Sequence, residues 1–124
     1  RAFEKASKLK VGFWEALNNQ GIVLYEMGEI EKSIVIWKKV LNIQKNAEPM
    51  LALAAALYQA DPNNQEAIKL AGQALTKNPN YISALYQKEQ LWGDKLRAAT
   101  YQLLTNQKLK LIVDKAKANS DEKL

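Results

Sequence analysis

The side chains that usually carry enzymatic chemistry are sparse in this chain. Its 124 residues contain no histidine and no cysteine. Without these residue types there is no Ser–His or Cys–His couple, no usual zinc ligand set and no proton shuttle that works near neutral pH. Disulfides are excluded for the same reason. The sequence therefore predicts no metal site and no cofactor.

Carboxylate pairs are the remaining candidates for acid–base chemistry. Glu29 with Glu31 and Asp121 with Glu122 are two such pairs. Each pair falls at a predicted helix start or in the polar C-terminal tail, where acidic residues favour the helix dipole or solubility. A glycine-rich phosphate loop is missing as well, because Gly72 is isolated inside a predicted helix. The sequence therefore predicts that the protein is not an enzyme.

The elements that must position any site repeat along the chain with a period of 34 residues. A shift by that period pairs Leu17 with Leu51 and Leu85, Gly21 with Ala55, Ser33 with Ala67, and Ile34 with Ile68. Small residues thus align with small ones and apolar residues with apolar ones, which is typical of a helix–turn–helix repeat. Because the axes of packed helices lie about 8–10 Å apart, the small residues mark the expected crossing points.

Helical spacing and terminal residues predict where each helix begins and ends. We expect helices over residues 1–10, 13–27, 29–44, 47–60, 63–77, 81–92, 94–104 and 107–118. Gly12 and Gly28 are expected to end helices, and Asn46 and Asn63 to cap them. Trp37 and Trp92 fall on positions that the repeat buries, whereas Gly72 aligns with Lys38 and is expected to be exposed.

The repeat positions resemble the tetratricopeptide repeat (TPR) family, whose helix pairs combine bulky, small, aromatic and proline positions in a fixed order. The matching residues are Leu17, Gly21, Tyr25, Ser33, Trp37 and Val40, then Leu51, Ala55, Tyr58, Ala67, Ala74 and Pro79. Gln20, Lys45 and Ala71 depart from the pattern. The resemblance covers residues 3–92, and residues 91–96 are similar to the endings of TPR proteins from cyanobacteria and plastids.

The resemblance implies an all-α fold, namely a TPR-type right-handed α-solenoid of antiparallel helix pairs with a C-terminal capping helix. One TPR domain is expected over residues 1–118. It would comprise the end of a truncated upstream repeat (1–12), repeat 1 (13–46), repeat 2 (47–80), and a degenerate repeat 3 with its capping helix (81–118). Residues 119–124 are polar and are expected to form a flexible tail.

In this family the first helix of each repeat lines a concave groove that holds a partner segment. The residues that match its ligand-contacting positions are Glu15, Asn18, Asn19, Ile22, Tyr25, Glu26, Ala52, Gln59, Ser83, Tyr86, Gln87 and Gln90. This set is poor in charge and rich in Asn, Gln and Tyr, which suits recognition of another chain. An ordinary polar helix surface is the alternative interpretation. The Lys residues with which chaperone adaptors of the family hold a C-terminal carboxylate are missing, so a neutral or basic partner segment is expected.

The resemblance implies a non-enzymatic protein–protein interaction module, such as an adaptor or a complex-assembly factor. The alternative is a structural segment that self-associates into a homo-oligomer through apolar Phe3 and Leu9. Nucleic acid is a less favoured partner, because the net charge of +5 is modest and spread along the chain. No run reaches the ~18 apolar residues of a membrane helix. A cytoplasmic location is expected, with an upstream targeting or membrane segment left open because the chain is interpreted as a fragment.

Overall fold

Helices account for the regular structure of the described part of the chain. The computed structural model describes residues 11–121, with side chains from residue 13 onward. Within that range the α-helices are α1 (Val11–Glu26), α2 (Ile30–Ile43), α3 (Ala47–Ala60), α4 (Gln65–Lys77), α5 (Ala84–Glu89), α6 (Asp94–Leu104) and α7 (Lys110–Asn119). Two 3-10 helices span Pro79–Ile82 and Gln107–Leu109, and residues 11–121 contain no strand. The all-α prediction is confirmed for this range, whereas the predictions for Phe3, Leu9 and the last three residues lie outside it.

A tight turn joins α1 and α2 into the first antiparallel pair. Gly28 has a φ of 86°, a left-handed conformation that glycine adopts without steric cost. The N–H of Glu29 donates to the carbonyl of Leu24 at 2.9 Å, and the N–H of Gly28 donates to Tyr25 at 3.0 Å. These bonds satisfy the last carbonyls of α1 and reverse the chain, so that α2 packs back along α1.

Small residues let α1 and α2 approach each other closely. A Cβ atom at Gly21 would lie 2.7 Å from Nε1 of Trp37, so a larger residue fits only if the indole ring moves. The hydroxyl of Ser33 donates to the carbonyl of Gly21 at 3.0 Å, and both residues are buried. The predicted crossing of small residues is confirmed for this pair, as is the predicted burial of Trp37 and Trp92.

Helix α3 forms the centre of the core. It packs against α2, α4 and α6, and every residue from Pro49 to Leu57 is buried. Helix α4 lies antiparallel to it and is capped by Asn64, whose side chain accepts a hydrogen bond from the N–H of Ala67 at 3.0 Å. The predicted cap, Asn63, is wrong by one residue, because Asp61 accepts the Asn63 N–H in the turn that precedes α4.

Two other predictions of helix ends are not fully confirmed. Gly12 belongs to the first turn of α1 as described, and the helix over residues 1–10 that it was expected to end lies outside the described residues. Asn46 occupies the predicted position before α3, but its side chain forms no cap bond. Only its backbone carbonyl takes part, accepting from the N–H of Met50 at 3.2 Å.

The third repeat departs from the 34-residue period. In place of one helix over residues 81–92, the chain forms the 3-10 helix Pro79–Ile82 and the short α5. The break occurs because Ser83 takes an extended conformation and its hydroxyl accepts the N–H of Tyr86 at 3.1 Å, which starts a new helix. Helix α6 then packs mainly across α3 and also against α1.

Helix α7 covers the outer side of α4. It packs against α4 and against the 3-10 helix Pro79–Ile82, with Val113 and Ala116 buried. Gly72 lies beneath it, where a Cβ atom would come 3.0 Å from Cδ1 of Ile112. The expectation that Gly72 is exposed is therefore wrong, because α7 packs over this part of α4.

Candidate functional site

Half of the predicted groove residues lie in the protein interior. The buried ones are Asn18, Ile22, Tyr25, Ala52, Ser83 and Gln87. Glu26, Tyr86 and Gln90 are half-buried, and Glu15, Asn19 and Gln59 are exposed. The expectation of an open concave surface along all of these positions is therefore wrong for the buried six.

Helix α6 covers part of the expected groove surface. It lies against α3 and α1, the two helices that were expected to line the groove. Leu96 and Leu103 of α6 and Ala52 of α3 have no exposed surface. A partner segment cannot occupy this part of the surface unless α6 leaves the core, which would expose fully buried leucines.

Glu26 holds α6 in place instead of facing a ligand. One carboxylate oxygen accepts the N–H of Lys95 at 3.1 Å and the other accepts the N–H of Leu96 at 2.9 Å. The first turn of a helix has unpaired N–H groups and a partial positive charge, so a carboxylate there is stabilising. A Cβ atom at Gly93 would overlap the Glu26 side chain, so the close approach requires glycine at that position.

Asn18 and Tyr25 are core residues, each only 2% exposed. The indole N–H of Trp37 donates to Oδ1 of Asn18 at 3.0 Å, and the rings of Tyr25 and Trp37 lie 6.1 Å apart. Burial raises the pKa of the Tyr25 hydroxyl, and the charge of Glu26 raises it further. The prediction that these side chains face solvent is wrong, because a buried Trp needs a hydrogen-bond acceptor and Asn18 supplies it.

The predicted groove residues of the third repeat shape the local backbone. Gln87 donates from Nε2 to the carbonyl of Tyr81 at 2.7 Å, and Ser83 caps α5. The ring of Tyr86 packs edge-on against Tyr81, with centroids 4.9 Å apart. Gln59 of the second repeat lines a separate cleft near the end of α3, together with Tyr25 and Lys95.

A carboxylate network connects α1, α3 and the turn before α6. The indole N–H of Trp92 donates to Oε2 of Glu48 at 2.9 Å, and Asn18 and Tyr81 also form side-chain hydrogen bonds to this carboxylate. Burial raises the pKa of Glu48, the three hydrogen bonds lower it, and the neighbouring Glu15 charge raises it again. Burial beside Glu48 likewise raises the pKa of Tyr81.

Next to this network lies an open cleft of about 280 Å³, which we call the acidic cleft. Its walls are Trp14, Glu15, Asn19, Glu89, Gln90 and Leu91, and Asn18 and Glu48 form its floor. Four of the predicted groove residues therefore come together here, namely Glu15, Asn18, Asn19 and Gln90. The lining contains three carboxylates and neither Lys nor Arg.

Leu91 is the residue of the cleft that sequence analysis missed most clearly. It has a φ of 72°, in the left-handed region, and its side chain is 76% exposed. The N–H of Leu91 donates to Lys88 at 2.9 Å and that of Trp92 donates to Gln87 at 3.0 Å, which ends α5 in a motif that usually places glycine at this position. A bulky side chain held in a strained backbone and turned to solvent is a feature that stability alone does not favour.

Comparisons with protein-family models, with curated proteins and with solved structures found no match for this chain. The described residues contain no group of three or more acidic, His or Cys side chains that could hold a metal ion. Within the same range, none of the helices has the length and hydrophobicity of a membrane-spanning segment. The structure adds three residues to the candidate site by their position in the cleft, namely Glu48, Glu89 and Leu91. No sequence signal distinguished them from ordinary helix-end residues.

Proposed function

We propose that this chain is a TPR-type helical repeat module that binds a segment of another protein and catalyses no reaction. The 34-residue period supports this proposal, together with the two antiparallel pairs α1–α2 and α3–α4. Gly21 and Ser33 meet at the first crossing, and their counterparts one period later, Ala55 and Ala67, are fully buried. A right-handed solenoid continued by α5–α7 is part of the proposal.

The binding surface in this proposal is the acidic cleft, not the full concave face. Helix α6 packs on the face that α1 and α3 would otherwise present, and the acidic cleft opens between the start of α1 and the end of α5. The single observation that carries the proposal is the exposed, left-handed Leu91 beside the carboxylates of Glu15 and Glu89.

The chemistry of the cleft defines its partner. Leu91 and the half-buried Trp14 offer apolar contacts, while Glu15 and Glu89 are exposed acceptors for Lys or Arg side chains. Complementary charge at a rim speeds association and selects partners, and the apolar centre supplies most of the affinity. The partner is therefore an extended segment with a basic residue next to an apolar one.

Peptide display against the purified protein tests this proposal. Selected peptides should be enriched in Lys or Arg beside an apolar residue. They should bind the double variant Glu15→Lys with Glu89→Lys at least about tenfold more weakly. The matched control is Glu31→Lys with Glu66→Lys, since both residues are exposed and lie outside the cleft. Peptides that bind the cleft variant as tightly as the wild type would show that the binding surface lies elsewhere.

A further inference from the structure

A second groove lies where α4 meets α7 and the start of α3. Its volume is about 640 Å³. We call it the lysine-rimmed groove. Its rim carries Lys45, Lys69, Lys77 and Lys108, and its floor is formed by Met50, Ile68, Leu109 and Ile112.

The charge of this groove has one sign. Each charged residue in its lining is a lysine, and all four lysines are exposed. None of them forms an ion pair with another described residue. Four like charges around one opening repel each other, and an anionic partner would relieve that repulsion.

The floor of the groove is apolar and shallow. Met50 and Leu109 are buried, whereas Ile68 and Ile112 are half-buried and present an apolar strip between the lysines. A pocket that takes up an acyl chain must enclose most of the chain's surface. A shallow apolar strip instead suits the apolar side of a helix laid along it.

We propose that the lysine-rimmed groove binds an acidic amphipathic helix of a partner protein. The apolar side chains of that helix would cover Ile68 and Ile112, and its flanking Asp or Glu residues would pair with the four lysines. This groove shares no lining residue with the acidic cleft and is opposite to it in charge, so its partner would differ in chemistry from the partner of the cleft.

A designed peptide tests the proposal directly. The probe is a fluorescein-labelled helix of about 18 residues with Leu at i, i+3, i+4 and i+7 and Glu at most other positions. Fluorescence anisotropy should show saturable binding that weakens as salt is raised. The variant Lys69→Glu with Lys108→Glu should raise the Kd at least about tenfold. The control variant, Lys38→Glu with Lys115→Glu, changes exposed lysines outside the groove and should keep the Kd within about twofold.

Further arms separate this proposal from its alternatives. The cleft variant Glu15→Lys with Glu89→Lys should still bind the acidic peptide, so the outcome does not depend on the proposed function of the acidic cleft. Replacing every Leu of the probe by Ser should abolish binding; equal binding of that peptide would mean that charge alone acts and would overturn the proposal. Three other outcomes would also overturn the proposal. The control variant could lose as much peptide affinity as the groove variant, or the wild type could fail to bind at about 1 mM peptide. The groove could also bind phosphatidylglycerol vesicles in place of the peptide.

Discussion

At the residue scale, the backbone of Leu91 carries a conformational cost that glycine would avoid. A left-handed φ costs a non-glycine residue about 1–2 kcal/mol, part of which returns when glycine adds freedom to the unfolded chain. The 76% exposed side chain loses little packing when it is removed. We expect Leu91→Gly to raise the free energy of unfolding by about 0.5–1 kcal/mol in urea melts.

The matched control is the same substitution six residues earlier. Leu85 is also exposed but lies within α5, so Leu85→Gly should lower the free energy of unfolding by about 0.5–1 kcal/mol. Destabilisation by both substitutions would show that the turn at Leu91 carries no strain. Under the proposed function, Leu91→Gly should also weaken peptide binding although it stabilises the fold.

Glu48 makes stability depend on pH. Burial raises its pKa above the ordinary value of about 4.5, so the folded protein binds this proton more tightly than the unfolded chain does. The associated stabilisation is fully present below pH 4.5 and is lost as pH rises through the folded-state pKa. Relative to wild type, Glu48→Gln should therefore become more stable as pH increases from 4 toward 8. Parallel stability curves for the two proteins would contradict this assignment.

At the element scale, the placement of α6 depends on long-range contacts that no local sequence pattern predicts. The prediction of a helix from Asp94 to Leu104 followed from helical spacing, and the structure has the same bounds. Its packing against α3 and α1 did not follow, because it depends on Glu26 accepting amide protons from Lys95 and Leu96 about 70 residues along the chain. Asn18 could have been assigned to the core, because one helical turn separates it from Gly21 and a buried Trp37 requires an acceptor there.

The cap that Glu26 provides can be tested by substitution. Glu26→Ala leaves two amides of α6 without an acceptor, and we expect it to lower the free energy of unfolding by about 1–2 kcal/mol. Hydrogen exchange at the amides of Lys95 and Leu96 should accelerate in the same variant. Glu31→Ala is the control, because Glu31 is exposed on α2 and should change stability by about 0.5 kcal/mol or less. Unchanged exchange at both amides would rule out the cap.

The contact between α4 and α7 gives a second test at this scale. Alanine at position 72 improves helix propensity by up to about 1 kcal/mol, while its Cβ atom meets Cδ1 of Ile112 at 3.0 Å. Ile112 borders the open lysine-rimmed groove, so its terminal methyl can shift aside. We expect Gly72→Ala to raise the melting temperature slightly and Gly72→Leu to destabilise by about 1–3 kcal/mol through overpacking. A lower melting temperature for the alanine variant would show that Ile112 is fixed.

At the scale of the whole molecule, α6 joins parts that a simple repeat array would leave independent. In a solenoid each repeat contacts only its neighbours, and stability is roughly a sum over adjacent units. Here α6 contacts both α1 and α3, so the first and second helix pairs share the buried face of one helix. The 34-residue period predicted α1–α4, but it could not predict this closure, because repetition describes neighbours and not a helix that crosses them.

This arrangement predicts a single cooperative unfolding transition that is sensitive to α6. Leu103 is fully buried in α6, so Leu103→Ala should lower the free energy of unfolding by about 2–5 kcal/mol. The same substitution at Leu111 of α7, which is 83% exposed, should cost about 0.5 kcal/mol or less. Hydrogen exchange should show that Leu103→Ala reduces protection in α1 and α3 together with α6, because α6 packs on both of these helices. If α1 and α3 kept wild-type protection while α6 alone exchanged freely, α6 would be a separable appendage, and the concave face of α1 and α3 would be available to a partner after all.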